Sequence, residues 1–129
     1  MCNPQATQKG SYGTSKEQID RLEKVKKWDN DIAIKSCSWG KFQVMGIYTE
    51  NIHTYKDASE FETAMNLCEV QQFQFFKSYL IDVVGNKIVN ALREKKWEEI
   101  ARLYNGKNWK KTNPNYATNL KKYYEEYYK

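Results

Sequence analysis

Proline and glycine are scarce in this chain of 129 residues, at two and six, and cysteine and histidine scarcer still for chemistry, at three and one. So little proline and glycine argues against collagen-like repeats, disordered low-complexity sequence and loop-rich sandwiches. Cys2, Cys37 and Cys68 fit no disulfide framework and no metal-ligand spacing, and His53 by itself completes no zinc site, which leaves ordinary thiols in a reducing compartment. No apolar run approaches the roughly 20 residues needed to cross a bilayer. Met1 leads into Cys2, Asn3 and Pro4 rather than a basic segment and an apolar core, so the expectation is cytoplasmic synthesis without a signal peptide. Missing too are a glycine-rich phosphate loop after a strand and a Ser or Cys nucleophile matched to a histidine, so most enzyme classes drop out and no cofactor or metal is expected.

What is abundant is aromatic and basic. Aromatics make up 15% of the chain, ten of them tyrosines, and the net charge is +5. From Lys107 to Lys129 six lysines stand against Glu125 and Glu126, so this stretch alone supplies +4. Such an end suits nucleic acid, an anionic membrane surface, an acidic polymer such as a cell wall, or simply a solvated face. The stretch has no arginine and no recognition-helix motif, which disfavours nucleic acid. The length fits one compact domain.

Residues 1–14 show no apolar period and read as a loose lead-in. Ser15 and Gln18 have capping-box spacing, and Ile19, Leu22, Val25 and Trp28 follow along one flank of a first helix. Asp29-Asn30-Asp31 can cap a short second helix over Ile32, Ala33 and Ile34. Between Ser38 and Gly46 two glycines bracket an aromatic, β-favouring segment without helical or strict two-residue period, predicting a buried turn or short extended piece. Ser59 and Glu62 suggest another capping box, opening a long central helix through Phe61, Met65, Cys68, Gln72, Phe75 or Phe76, Tyr79 and Val83, ended by Gly85. Asn86 is placed to cap a helix over Ile88, Ala91 and Leu92. Trp97, Ile100, Ala101 and Tyr104 mark the next, and Tyr116, Leu120, Tyr123 or Tyr124, and Tyr127 the last. The fold class is all-α, one long central helix surrounded by shorter ones, without internal repeat.

The chemistry still open is carboxylate acid catalysis and polymer binding through aromatic and amide side chains. Gly40 and Gly46 would let backbone approach a ligand, and the Gln43 amide offers both donor and acceptor to sugar hydroxyls and acetamido groups. Trp39 can stack on a sugar ring or fill the core beneath the turn, while Phe42 and Met45 read as core. Tyr104-Asn105-Gly106 ends a helix, and its tyrosine can face a groove or the core.

Ser36-Cys37-Ser38-Trp39-Gly40-Lys41-Phe42-Gln43-Val44-Met45-Gly46, with Trp97, Ala101 and Tyr104-Asn105-Gly106 in order behind it, resembles the N-acetylmuramidase domain of phage endolysins and related bacterial proteins. Asn3-Pro4, Tyr12-Gly13, Arg21-Leu22, Tyr116 and Leu120 extend the likeness over nearly the whole chain. The resemblance implies a lysozyme-like helical domain over residues 15–129, hydrolysis of the bond between N-acetylmuramic acid and N-acetylglucosamine, and action at the bacterial cell wall. It implies Ser38, Trp39, Gly40, Gln43, Tyr104, Asn105 and Tyr116 as substrate-binding positions. The family's catalytic glutamate lies upstream of the matched region, on an early helix before a Phe-Glu-Arg-His-like stretch. This sequence begins after both, so the expectation is the larger, C-terminal part of such a domain, incomplete on its N-terminal side and without its general acid. Asp29, Asp31 and Glu50 border the motif and are the candidates to replace it, but helix capping for Asp29 and Asp31 and a solvated loop charge for Glu50 are the sufficient and favoured account. An incomplete domain also leads to an expectation of self-association or of a complementing chain.

Overall fold

The computed structural model describes residues 13–129, so most of the lead-in assigned to residues 1–14, with Asn3, Pro4 and Tyr12, lies outside the described residues. The chain divides into two compact units, up to Tyr79 and from Leu80 onward.

In the first unit, α1 spans Ser15–Lys26 and α2 spans Asn30–Lys35. The cap of α1 is Thr14, one residue before the expected Ser15. Thr14 Oγ1 accepts from the Glu17 N–H at 3.3 Å and Glu17 Oε2 accepts from the Thr14 N–H at 2.6 Å. Both registers satisfy the pattern, and the charged acceptor Glu17 makes the stronger reciprocal bond than Gln18 would. Backbone and hydroxyl bonds from Thr14 hold the Glu17 carboxyl below its ordinary range. Asp29 caps α2 as expected, its Oδ1 accepting from the Ile32 N–H at 2.9 Å. α2 buries Ala33 and Ile34, whereas Ile19 and Trp28 of the predicted apolar flank are 59% and 74% exposed. Lys26 ties α1 onward through two bonds of 2.9 and 2.8 Å to the Glu62 carboxylate.

β1 (Ser38–Trp39) and β2 (Val44–Met45) form an antiparallel hairpin, Ser38 opposite Met45 and Trp39 opposite Val44. Alternation sends Val44 into the core and leaves Met45, expected as core, 40% exposed. A 3₁₀ turn, Gly46–Glu50, follows.

The segment read as one long helix is two, α3 (Ala58–Leu67) and α4 (Glu69–Ser78), separated where Cys68 is fully extended at φ −162° and ψ 161°. Phe61 and Phe75 show what the break accomplishes. Fourteen residues apart, they would stand about 21 Å apart along a straight helix. Their ring centroids are 4.7 Å apart, so α4 folds back on α3 and both rings enter one core with Ile34, Ile52 and Met65. Asp57 caps α3, accepting from the Glu60 N–H at 2.8 Å, and Glu60 Oε2 accepts from the Lys56 N–H at 2.6 Å. The cap is therefore Asp57 rather than Ser59, with Glu60 reaching back to the Lys56 N–H, and Glu62 pairs with Lys26 instead. A π turn, Tyr79–Val84, continues α4.

The second unit holds α5 (Asn86–Arg93), α6 (Trp97–Asn105), α7 (Trp109–Thr112) and α8 (Tyr116–Tyr127). Gly85, not Asn86, occupies the cap of α5, at φ 81° and ψ −167°, a region open essentially to glycine alone. Fully buried Ala101 and nearly buried Ala117 let α6 and α8 approach closely around Trp109, with Trp97 and Tyr116 packed against them. On α8 the inward ring is Tyr124, 5.3 Å from Trp97, while Tyr123 and Tyr127 are exposed.

Candidate functional site

The Gly40–Gln43 connection holds two residues in left-handed backbone. Gly40 has φ 67°, and Gln43, a residue with a side chain, is held at φ 54°. Non-glycine residues in this left-handed region cost about 1–3 kcal/mol and persist where surrounding contacts dictate them. Here the Gly40 carbonyl accepts twice from Gln43, from its N–H at 3.3 Å and from its side-chain Nε2 at 2.9 Å. The Gln43 side chain is exposed, with its Nε2 engaged by the Gly40 carbonyl.

The rest of the motif builds the support. Trp39 is half-buried, its Nε1 donates to the Ile34 carbonyl at 2.9 Å, and its ring meets Phe61 edge-on at 5.8 Å. Phe42 stacks on Phe76 at 4.4 Å and lies 5.8 Å from Phe73. Gly46 is required for space: a Cβ there would lie 2.5 Å from the Ile34 carbonyl oxygen, while the Gly46 N–H donates to Cys37 O at 2.8 Å. Ser38 is exposed beside the turn.

The three carboxylates that border the motif in sequence are already engaged. Asp29 caps α2, and the Lys35 ammonium lies 2.7 Å from Asp31 and 3.1 Å from Glu50. Those bonds, Asp31 first and Glu50 second, raise the Lys35 pKa. A general acid needs the opposite setting, an apolar pocket that penalises its charge. Among the described residues no charged side chain is buried, and residues 1–12 contain neither Asp nor Glu. No group of three potential metal ligands occurs among the described residues, and no helix there is long and apolar enough to cross a membrane.

Of the expected site residues, Ser38, Trp39, Gly40 and Gln43 share the hairpin of the first unit. Tyr104, Asn105 and Tyr116 belong to the second. Tyr104 is half-buried on the last turn of α6 and Asn105 exposed beside Gly106, whose φ of 82° and ψ of 171° end the helix. Tyr116 packs on the Ala101, Trp109 and Ala117 cluster. Half of the terminal lysines have acidic partners: Lys110 meets Glu98 at 3.1 Å, and Lys121 and Lys122 lie 3.9 Å from Glu125 and Glu126. Two features escaped the sequence reading. Gln72, taken only as a position on a helix face, bonds the hairpin turn. Tyr79 lies against Tyr48, ring centroids 4.7 Å apart and planes tilted by 48°, and burial, with the Tyr48 hydroxyl adding to it, pushes its phenol up to about 12. A glutamine at an inward helical position was the available signal for the first; nothing in the spacing marks the second.

The structure is similar to the crystal structure of Burkholderia AP3 phage endolysin, with a TM-score of 0.71 and 32% sequence identity, over 85% of this chain and 40% of that one. The chain thus spans less than half the length of that endolysin. No curated protein matches it. The muramidase family, described as N-acetylmuramidase, matches residues 1–128, the motif hairpin and the Tyr104-Asn105-Gly106 helix end included. By that match the chain belongs to the N-acetylmuramidase family.

Proposed function

We propose that this chain recognises the glycan strand of peptidoglycan, as the substrate-binding portion of a muramidase that hydrolyses the bond between N-acetylmuramic acid and N-acetylglucosamine at the bacterial cell wall. The observation that carries this reading is Gln43, an exposed amide in left-handed backbone within the Ser-Trp-Gly-x-Phe-Gln-x-Met-Gly hairpin of a family whose substrate is such a glycan. Its Oε1, an acceptor on an exposed side chain, suits a sugar hydroxyl or acetamido N–H, and Ser38 adds an exposed hydroxyl on the same hairpin, while Gly40 leaves room for the Gln72 side chain packed against the turn. Trp39 supplies the partly exposed edge beneath them. Tyr104, Asn105 and Tyr116 are the second set of sugar-facing positions, carried by the second unit.

Hydrolysis requires a carboxylic acid to protonate the leaving oxygen. Asp29, Asp31 and Glu50 are committed to a cap and to Lys35, so none of the three is set up for that role. Incubating the chain with purified peptidoglycan and identifying released muropeptides by mass spectrometry tests both parts. The expected result is co-sedimentation with sacculi, weakened by Gln43→Ala, with no new reducing muramic-acid ends. Reducing ends released by this chain would make one of the three carboxylates the acid. Absence of sedimentation would refute the recognition role.

A further inference from the structure

Resting on that assignment of Gln43, we propose that Gln72 is the positioning residue of the glycan-binding turn. The helix break creates the need for it. With Cys68 extended, α3 ends at Leu67 and its last carbonyls lose their helical donors. Gln72, half-buried on the first turns of α4, donates from Nε2 to the Met65 carbonyl at 2.9 Å. The other end of the same amide crosses to the hairpin, where Oε1 accepts from the Lys41 N–H at 2.8 Å. Both ends of one side chain are thus bonded to backbone, one at the break and one inside the turn that carries Gln43.

The fit to Gly40 is equally close. A Cβ at Gly40 would lie 2.6 Å from Gln72 Cδ and 2.7 Å from its Cγ, so the stem of Gln72 occupies the space that the glycine leaves. Lys41 adds an exposed ion pair to Glu69, on the same helix. Two-residue strands make a ladder too short to impose a left-handed glutamine. The anchor from α4 supplies what the ladder lacks. Gln72 touches no sugar in this scheme and acts by holding the Lys41 amide, and through it the Gly40 carbonyl to which Gln43 is bonded twice.

Two substitutions separate positioning from mere stability. Gln72→Met keeps the length and removes both bonds. Gln72→Glu keeps an acceptor for the Lys41 N–H and loses the donor to Met65, so both variants sacrifice the bond at the helix break. Amide hydrogen exchange at Lys41 and affinity for purified sacculi are measured on both. In Gln72→Met the Lys41 amide is expected to exchange about tenfold faster and sacculus affinity to fall about tenfold, the scale of one lost backbone anchor. In Gln72→Glu both stay within about threefold of the parent, although the carboxylate oxygen placed against the Met65 carbonyl lowers thermal stability. Equal loss of affinity in the two variants, or unchanged Lys41 exchange in Gln72→Met, overturns the proposal. Should Gln72→Met fail to fold, loss of Lys41 protection in a folded Gln72→Glu does so alone. If the parent chain does not bind sacculi, the recognition reading fails, while Lys41 exchange still decides whether Gln72 sets the turn.

Discussion

Gly46→Ala probes the seam between α2 and the hairpin. Gly46 is buried, and its new Cβ would lie 2.5 Å from the Ile34 carbonyl oxygen and 3.0 Å from the Lys35 Cα. Both are backbone atoms, so no side chain can swing away, and the hairpin and α2 must separate. Overpacking of this kind costs about 1–3 kcal/mol. The separation also stretches the 2.8 Å bond from the Gly46 N–H to Cys37 O and disturbs the Ile34 carbonyl that receives Trp39 Nε1, adding about 1 kcal/mol. The expected loss is therefore about 2–4 kcal/mol, a large part of a typical domain's stability. Urea unfolding followed by tryptophan fluorescence measures it, with sacculus binding expected to weaken in parallel because the displaced strand leads directly from Gln43. A loss below about 0.5 kcal/mol would show that the hairpin does not bear on α2, and would remove the steric reason for glycine at the end of the motif.

Trp109→Ala should cost about 3–5 kcal/mol and loosen α6 and α8, read as amide exchange within the second unit. Tyr79 gives a signed pH dependence. Its phenol is pushed from the ordinary 10 up to about 12, so its contribution is fully present below pH 10 and disappears as the pH rises through 12. Tyr79→Phe should flatten the fall in stability across that window, and an unchanged alkaline limb in a urea series at successive pH values would refute the assignment. Ile19, Trp28 and Ile32 are each more than half exposed, so the chain is expected to self-associate at high concentration and Trp28→Lys to reduce it; a monomer by light scattering throughout contradicts this.

Much of this was legible in the sequence because it depends on local chemistry. Asp29 before an apolar run is a cap wherever it occurs, and Gly106 after Tyr104-Asn105 stops α6 because only glycine tolerates that backbone. The all-α class followed from periodicities that survive in α5, α6 and α8. What stayed hidden was non-local. The spacing from Phe61 to Val83 is compatible with a straight helix, and only the bond from Gln72 to Met65 and the meeting of Phe61 with Phe75 reveal the break at Cys68. The cap registers slipped because nearby residues, Thr14 and Ser15 or Asp57 and Ser59, compete for one role; at α1 the charged partner Glu17 decides, and at α3 Asp57 takes the cap. For the candidate site, the motif marked the segment from Ser38 to Gly46 as a turn or short extended piece, but that Lys35 engages both Asp31 and Glu50 depends on the turn Gly46–Glu50 returning to α2, which no pattern in the sequence encodes.

The most direct test of glycan recognition by the hairpin is an NMR titration of the chain with soluble peptidoglycan fragments containing both amino sugars. The predicted result is saturable shifts at the amides of Gly40, Lys41 and Gln43, abolished by Gln43→Ala without unfolding. Shifts confined to the lysine-rich segment from Lys107 to Lys129 and erased by salt, or no shifts at the hairpin at saturating ligand, would contradict it.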